Sequence, residues 1–245
     1  MNNYKLIIQY DGSGFYGYQK LPNYRTVQWE LEKAIFKITD EKVQVHCAGR
    51  TDRWVHALGQ VVSFQISQNI PFENIKSVLN NVLAKDIRIF DIALVNNNFH
   101  ARFHAKGRSY RYVMKHIKHY SVFEKNYITF VENEIDIDKA NQLLANFLWT
   151  HNFDSFRSAD CGADSPIRTI RSISLKKEQN KYILYISADW FLKNMVRIIV
   201  GAMLYELSWK NKAGTISSKL ENSKTVNSHK YLAPASGLYL EGVWY

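Results

Sequence analysis

Cysteine is nearly absent from this chain, and the two that occur, Cys47 and Cys161, stand far apart with no Cys-x-x-Cys spacing. That excludes a disulfide framework and a thiolate zinc site, so both are read as reduced thiols. A long uninterrupted apolar run is also missing: the most apolar stretch, 191–209, carries Lys193, Arg197 and Glu206. The N-terminus shows no charged-then-apolar region. Neither a membrane span nor secretion is indicated, and the expected location is the cytoplasm. Carboxylates are scarce in one region, where Asp52 is the only one between Glu41 and Glu73. This excludes a local acid pair of the glycosidase kind.

What is present fits one large domain or two small ones, since 245 residues with 46% hydrophobic content are ample for a buried core. The formal net charge is +10, and more than half of it lies in residues 100–125, where seven Lys or Arg face one acid. The same tract interleaves Phe103, Tyr110, Tyr112 and Tyr120. Cations for phosphates beside aromatic faces for bases are what a single-stranded or flipped nucleotide requires, which makes Arg102, Lys106, Arg108 and Arg111 candidate RNA contacts. The competing reading is a solvated basic face. His100 and His104 lack a third ligand, so no metal is expected. Gly12 to Gly17 has neither the spacing nor the following helix of a dinucleotide fingerprint, so no cofactor is expected.

Periodicity predicts a strand over 4–10, a helix over 26–39 capped by Thr26, and strands over 43–48 and 59–66. A helix from Pro71 through Val82, with Phe72, Ile75, Val78 and Leu79 inward, and a strand over 87–95 follow. That β-α-β-β-α-β order is the ferredoxin-like unit. The second half repeats the theme less clearly: a strand over 107–117, a helix over 136–149, strands over 169–176 and 182–188, an apolar helix over 190–209 and a last strand over 237–243. Residues 211–229 read as a loop. The expected fold is α+β: two ferredoxin-like, RRM-like halves, 1–104 and 105–245, sharing an extended, mostly antiparallel sheet with helices on one face and a positively charged cleft for an RNA stem-loop.

Asp52 sits in Gly49-Arg50-Thr51-Asp52-Arg53-Trp54-Val55-His56-Ala57-Leu58-Gly59-Gln60-Val61, a connection between two strands. One ionised Asp among cations suits a nucleophile or a base, and the plainer reading is an ordinary turn. Gly-Arg-Thr-Asp followed by Val-His-Ala and Gly-Gln-Val resembles the signature of the tRNA pseudouridine synthase A family. So do Tyr10-Asp11-Gly12 with Gly17-Tyr18-Gln19, Thr26-Val27-Gln28, Phe99-His100-Ala101-Arg102-Phe103, Arg108-Ser109-Tyr110, Phe191-Leu192 with Met195-Val196-Arg197, and Gly237-Leu238-Tyr239-Leu240. These blocks run in the family's order.

The resemblance implies a cofactor-independent isomerase that turns uridine into pseudouridine at positions 38, 39 and 40 of the tRNA anticodon stem-loop, working as a homodimer. It implies Asp52 as nucleophile, Tyr110 as the ring stacked on uracil and a candidate base, and Arg197 as the partner of Asp52. Arg50 corresponds to the arginine that holds the extruded nucleotide. Arg197 is also unusual by itself, a guanidinium in an apolar helix, which needs an anion if buried. The chain departs from the family where Arg53-Trp54 follow Asp52 in place of small residues, commonly Ala then Gly, and where Tyr18 replaces a Trp. Two alternatives stand beside this reading: a tRNA-binding or RNA-chaperone protein of the same fold without turnover, and a synthase with another RNA target.

Overall fold

The computed structural model describes residues 1–68, 70–208, 215–221 and 228–245. In chain order these form β1 (Asn2–Tyr10), α1 (Val27–Thr39), β2 (His46–Cys47), β3 (His56–Ile66), α2 (Phe72–Val82), β4 (Ile87–Val95), β5 (Gly107–His116), β6 (Thr129–Val131), α3 (Ile137–Ala145), β7 (Trp149–Asn152), β8 (Ile167–Glu178), β9 (Lys181–Ala188), α4 (Met195–Leu207), α5 (Thr215–Glu221) and β10 (Leu238–Trp244). The class is mixed α+β with mostly antiparallel strands. The chain divides into two compact units, one of residues 1–106 with 239–245 and one of residues 107–238.

In the first unit the strands run β4-β1-β3-β10, with β2 added to β3. β1 is antiparallel to both neighbours, and alternate residues Tyr4, Leu6, Ile8 and Tyr10 are buried. α1 buries Val27, Leu31, Ala34 and Ile35, a stripe at helical spacing, and the Thr26 hydroxyl accepts from the Trp29 amide as its cap. α2 packs on β4 through Ile75 and Leu79, whereas Val78, expected inward, is exposed, and the Phe72 side chain lies outside the described residues. β2 is shorter than the periodicity predicts because the Val45 amide donates to the Glu32 carboxylate instead of a strand partner. The chain-terminal strand pairs parallel with β3, Tyr239 opposite His56, so it belongs with the first unit although the sequence groups it with residues 105–245. A parallel pairing needs a long crossover, and residues 107–238 supply it.

The second unit orders its strands β5-β9-β8-β7, with β6 parallel to β5. One device recurs in both units. The Asn80 side chain of α2 donates to Ile89 O and accepts from Ile89 N of edge strand β4, and Asn141 of α3 does the same for Leu175 of β8. Each amide satisfies backbone groups that no strand reaches. α3 ends at Ala145, short of the expected Trp149: Phe147, Phe153 and Phe156 pack as a buried trio, and Trp149 takes left-handed backbone (φ 75°) to start β7.

α4 starts at Met195, later than the sequence suggests, and is apolar on nearly every side. A Cβ on its Gly201 would lie 1.8 Å from Tyr231 O, so glycine there lets the segment around Tyr231 cross the helix closely. Part of the expected 211–229 loop is α5, fixed by the buried Ile216, whose amide donates to Glu206. Trp209 and the loop residues 211–214 and 222–227 lie outside the described residues. Among the described residues, no helix is long and apolar enough to cross a membrane. Both cysteines are free, and burial pushes the Cys47 thiol up to about 12.

Candidate active site

Asp52 stands on the connection between β2 and β3, and this irregular stretch is fixed from several sides. Val55 N donates to Asp52 O at 3.2 Å, closing a turn around the carboxylate-bearing residue. On its N-terminal side, the Gln60 side chain donates to Gly49 O at 2.6 Å and faces Gly49 N, while the Tyr10 and Thr51 hydroxyls meet at 2.7 Å. Tyr18 N donates to Thr51 O at 3.0 Å. The loop carrying Tyr18 is itself held by the start of α1, where the Val27 and Gln28 amides donate to Gly17 O and Tyr18 O. Those amides have no partners inside the helix, so the helix N-terminus and the loop satisfy each other.

Two glycines permit the fit. A Cβ on Gly12 would lie 2.1 Å from Val55 O, and Gly17 adopts φ 91° with Thr51 O 3.0 Å from where its Cβ would be. Gly12 N donates to the buried His56 Nδ1, whose ring stacks on Tyr239 at 4.6 Å, so β10 also supports the end of the loop. Trp54 has φ 70°, left-handed backbone in which a bulky side chain is strained. Asp52 and Trp54 are half-buried, while Arg50 and Arg53 are exposed. Arg50 donates to the Gln19 side chain.

In the second unit, Tyr110 on β5 is buried, with its ring edge-on to Phe191 at 5.0 Å. Arg197 is half-buried on α4; its Nε donates to Ala233 O at 2.7 Å and its Nη1 to Asn194 Oδ1 at 3.0 Å. Asn194 sits in left-handed backbone (φ 63°) before the helix, and its Nδ2 donates to Ser158 Oγ at 2.7 Å. The guanidinium is thus aimed by a carbonyl and an amide rather than left to rotate.

Curated relatives align with this chain from end to end. A "tRNA pseudouridine synthase A" of Acetivibrio thermocellus is 40% identical over 245 residues, and one of Listeria monocytogenes 39% over 247; a "tRNA pseudouridine synthase A 2" of Clostridium perfringens is 37% identical over 245. All three matches cover the whole of both chains. The family profile described as tRNA pseudouridine synthase matches residues 6–104 and 143–245. The chain belongs to the tRNA pseudouridine synthase family.

As a member of the tRNA pseudouridine synthase family, the protein is an isomerase, and the basic residues can be weighed against that chemistry. Arg102 and Lys106 are exposed, with the Arg102 guanidinium 5.6 Å from the centre of the Phe103 ring. Arg111 is half-buried. Arg108 departs from the expectation: it is 2% exposed, its guanidinium lies 3.5 Å over the Trp190 ring, and Nη1 donates to Asp189 O. It is packed as a structural cation and offers no open face to a phosphate. Lys115 is also buried, and its hydrogen bond to Glu124 holds that carboxyl below its usual range. Among the described residues, no group of three or more His, Cys, Asp or Glu is placed to hold a metal. Sequence reasoning missed the loop-holding roles of Tyr10, Gln60 and His56 and the orienting contact of Asn194. All but Asn194 lie in blocks already matched to the family, which was the available signal.

Proposed function

We propose that this protein converts uridine to pseudouridine at positions 38, 39 and 40 of the tRNA anticodon stem-loop, with Asp52 as the catalytic nucleophile. The observation that carries the reading is the Asp52 loop, an irregular stretch held by Tyr10, Gly17 and Tyr18 from other family blocks and by Gln60 at the end of its own. Fixed positioning of one carboxylate is what attack at a sugar carbon requires. The reaction breaks the uracil N1–C1′ bond, turns the base while it stays bound and forms the C5–C1′ bond, with the C5 proton removed and N1 taking a proton. No redox change occurs.

In this scheme Arg197 pairs with Asp52 and keeps it ionised, Tyr110 stacks on the uracil and is the candidate base for the C5 proton, and Arg50 holds the flipped nucleotide. Arg102, Lys106 and Arg111 track phosphates. The two ferredoxin-like halves share one extended sheet and face the RNA across a basic cleft. The N-terminal half carries the Asp52 loop and the C-terminal half completes the site. The enzyme acts in the cytoplasm as a homodimer with tRNA as its partner, and it needs neither cofactor nor metal.

Tritium release from C5-labelled uridine in bulk tRNA tests the reaction, and mapping the modified nucleotides tests the positions. Release with pseudouridine at 38, 39 and 40 is expected. Tight tRNA binding without release would favour the alternative of an inactive tRNA-binding protein of the same fold, and release at other positions would favour a different RNA target.

A further inference from the structure

Immediately after Asp52, the Arg53 guanidinium lies 4.7 Å over the ring of Tyr16, and that ring stacks on Tyr24 at 4.0 Å between centroids with 22° between planes. All three side chains are exposed, Tyr16 by 40% and Tyr24 by 50%. The ladder of flat groups therefore stands on the surface and contributes little to the core. Its base is rigid: Tyr16 N donates to Arg25 O at 2.8 Å, and Arg25 makes a two-pronged ion pair with Asp86 and a further one with Glu30. Exposed flat rings held parallel on a braced loop, ending in a cation, match a surface that receives a nucleobase.

We propose that the Arg53-Tyr16-Tyr24 stack binds a nucleotide of the RNA adjacent to the target uridine, the base lying on the ladder and the guanidinium edge meeting its phosphate. The proposal rests on the tRNA reading above and adds a subsite to it. Arg53 directly follows Asp52 in the chain, so the subsite is assigned to a nucleotide next to the one attacked rather than to the target itself. The exposed stacked rings beside the guanidinium favour RNA over an acidic protein surface, because a base stacks on them whereas a carboxylate needs only the cation. The stack thus sets affinity and register and leaves the chemical step alone.

The test uses Tyr16→Leu and Arg53→Lys, the second keeping the charge while removing the plane, against an anticodon stem-loop RNA carrying 2-aminopurine beside the target uridine. Affinity, KM, kcat, 2-aminopurine fluorescence and melting temperature are measured for each. Wild type is expected to quench the probe; each variant weakens binding and raises KM by about tenfold, loses the quenching and keeps kcat within about twofold at saturating RNA. Because Arg53 is exposed, Arg53→Lys keeps the test decisive even if Tyr16→Leu misfolds. Affinity within twofold of wild type for the folded variants, or a loss confined to kcat, overturns the proposal. Failure of the tRNA reading is distinct, since wild type itself would then release no tritium.

Discussion

Two residues beside the proposed catalytic groups share one unusual backbone conformation and use it differently. Trp54, two residues after Asp52, has φ 70°, and Asn194, three before Arg197, has φ 63°. Asn tolerates the left-handed region, and Asn194 bonds both the arginine it aims and Ser158. Trp gains nothing comparable there: its Cβ costs roughly 1–2 kcal/mol in this region, and the loop persists because Tyr10, Gln60, Gly12 and Gly17 leave it no alternative. The carboxylate depends on its neighbours for position, whereas the guanidinium rides on a helix that closes its own hydrogen bonds. Of the two regions, the loop is therefore the more vulnerable.

Asp52 itself aside, the largest expected effect is on activity at the self-supporting side. Arg197→Met should lower kcat by at least about 100-fold while shifting stability little, since α4 keeps its backbone bonds. In the proposed pair, Asp52 deprived of its cation would hold its proton more tightly, so the residual rate should climb with pH relative to wild type. A pH–rate profile of unchanged shape would argue against the pair. Next comes the dependent side: Gly12→Ala puts a methyl 2.1 Å from Val55 O, and overpacking against backbone should cost about 2–3 kcal/mol in urea unfolding. Stability equal to wild type would mean the loop is not pinned there.

Smaller, and opposite in sign, is Trp54→Gly, which should raise stability by about 1 kcal/mol with RNA affinity unchanged. A stable or weakened protein with lost affinity would instead make the indole a base-stacking surface. Of similar size but confined to a pH window is the effect at Lys219, whose ammonium is buried 3.5 Å over the Tyr231 ring. Burial lowers it from 10.5 to about 8, with the nearby Lys230 adding to the shift. Between those values the unfolded chain binds more protons, so wild-type stability rises with pH. Lys219→Met should therefore be more stable at pH 7 by about 1 kcal/mol after allowance for solvent screening, with the difference fading by pH 10. A pH-independent difference would contradict this.

The features that were legible in the sequence are those set by neighbours in the chain. Alternation marked β1 and β4, the 3.6-residue stripe and Thr26 marked α1, and flanking strands put Asp52 on a connection. The expectations that failed depend on distant residues. α3 stops early because three phenylalanines separated along the chain pack together, and α5 forms where polar composition suggested a loop because Ile216 is buried and its amide bonds Glu206. Arg108 read as an RNA contact from cations interleaved with aromatic rings, yet Trp190, 82 residues on, packs over its guanidinium. The loop-holding bonds from Tyr10 and Gln60 link residues 41 and 11 positions apart and leave no periodic trace.

The central claim is that Asp52 performs the chemistry while RNA is bound elsewhere. Asp52→Asn keeps the shape of the side chain and removes its capacity as nucleophile or base, so tritium release and tRNA affinity should be measured together on this one variant. Turnover abolished with affinity within about twofold of wild type is the expected result. Turnover within tenfold of wild type would contradict the assignment.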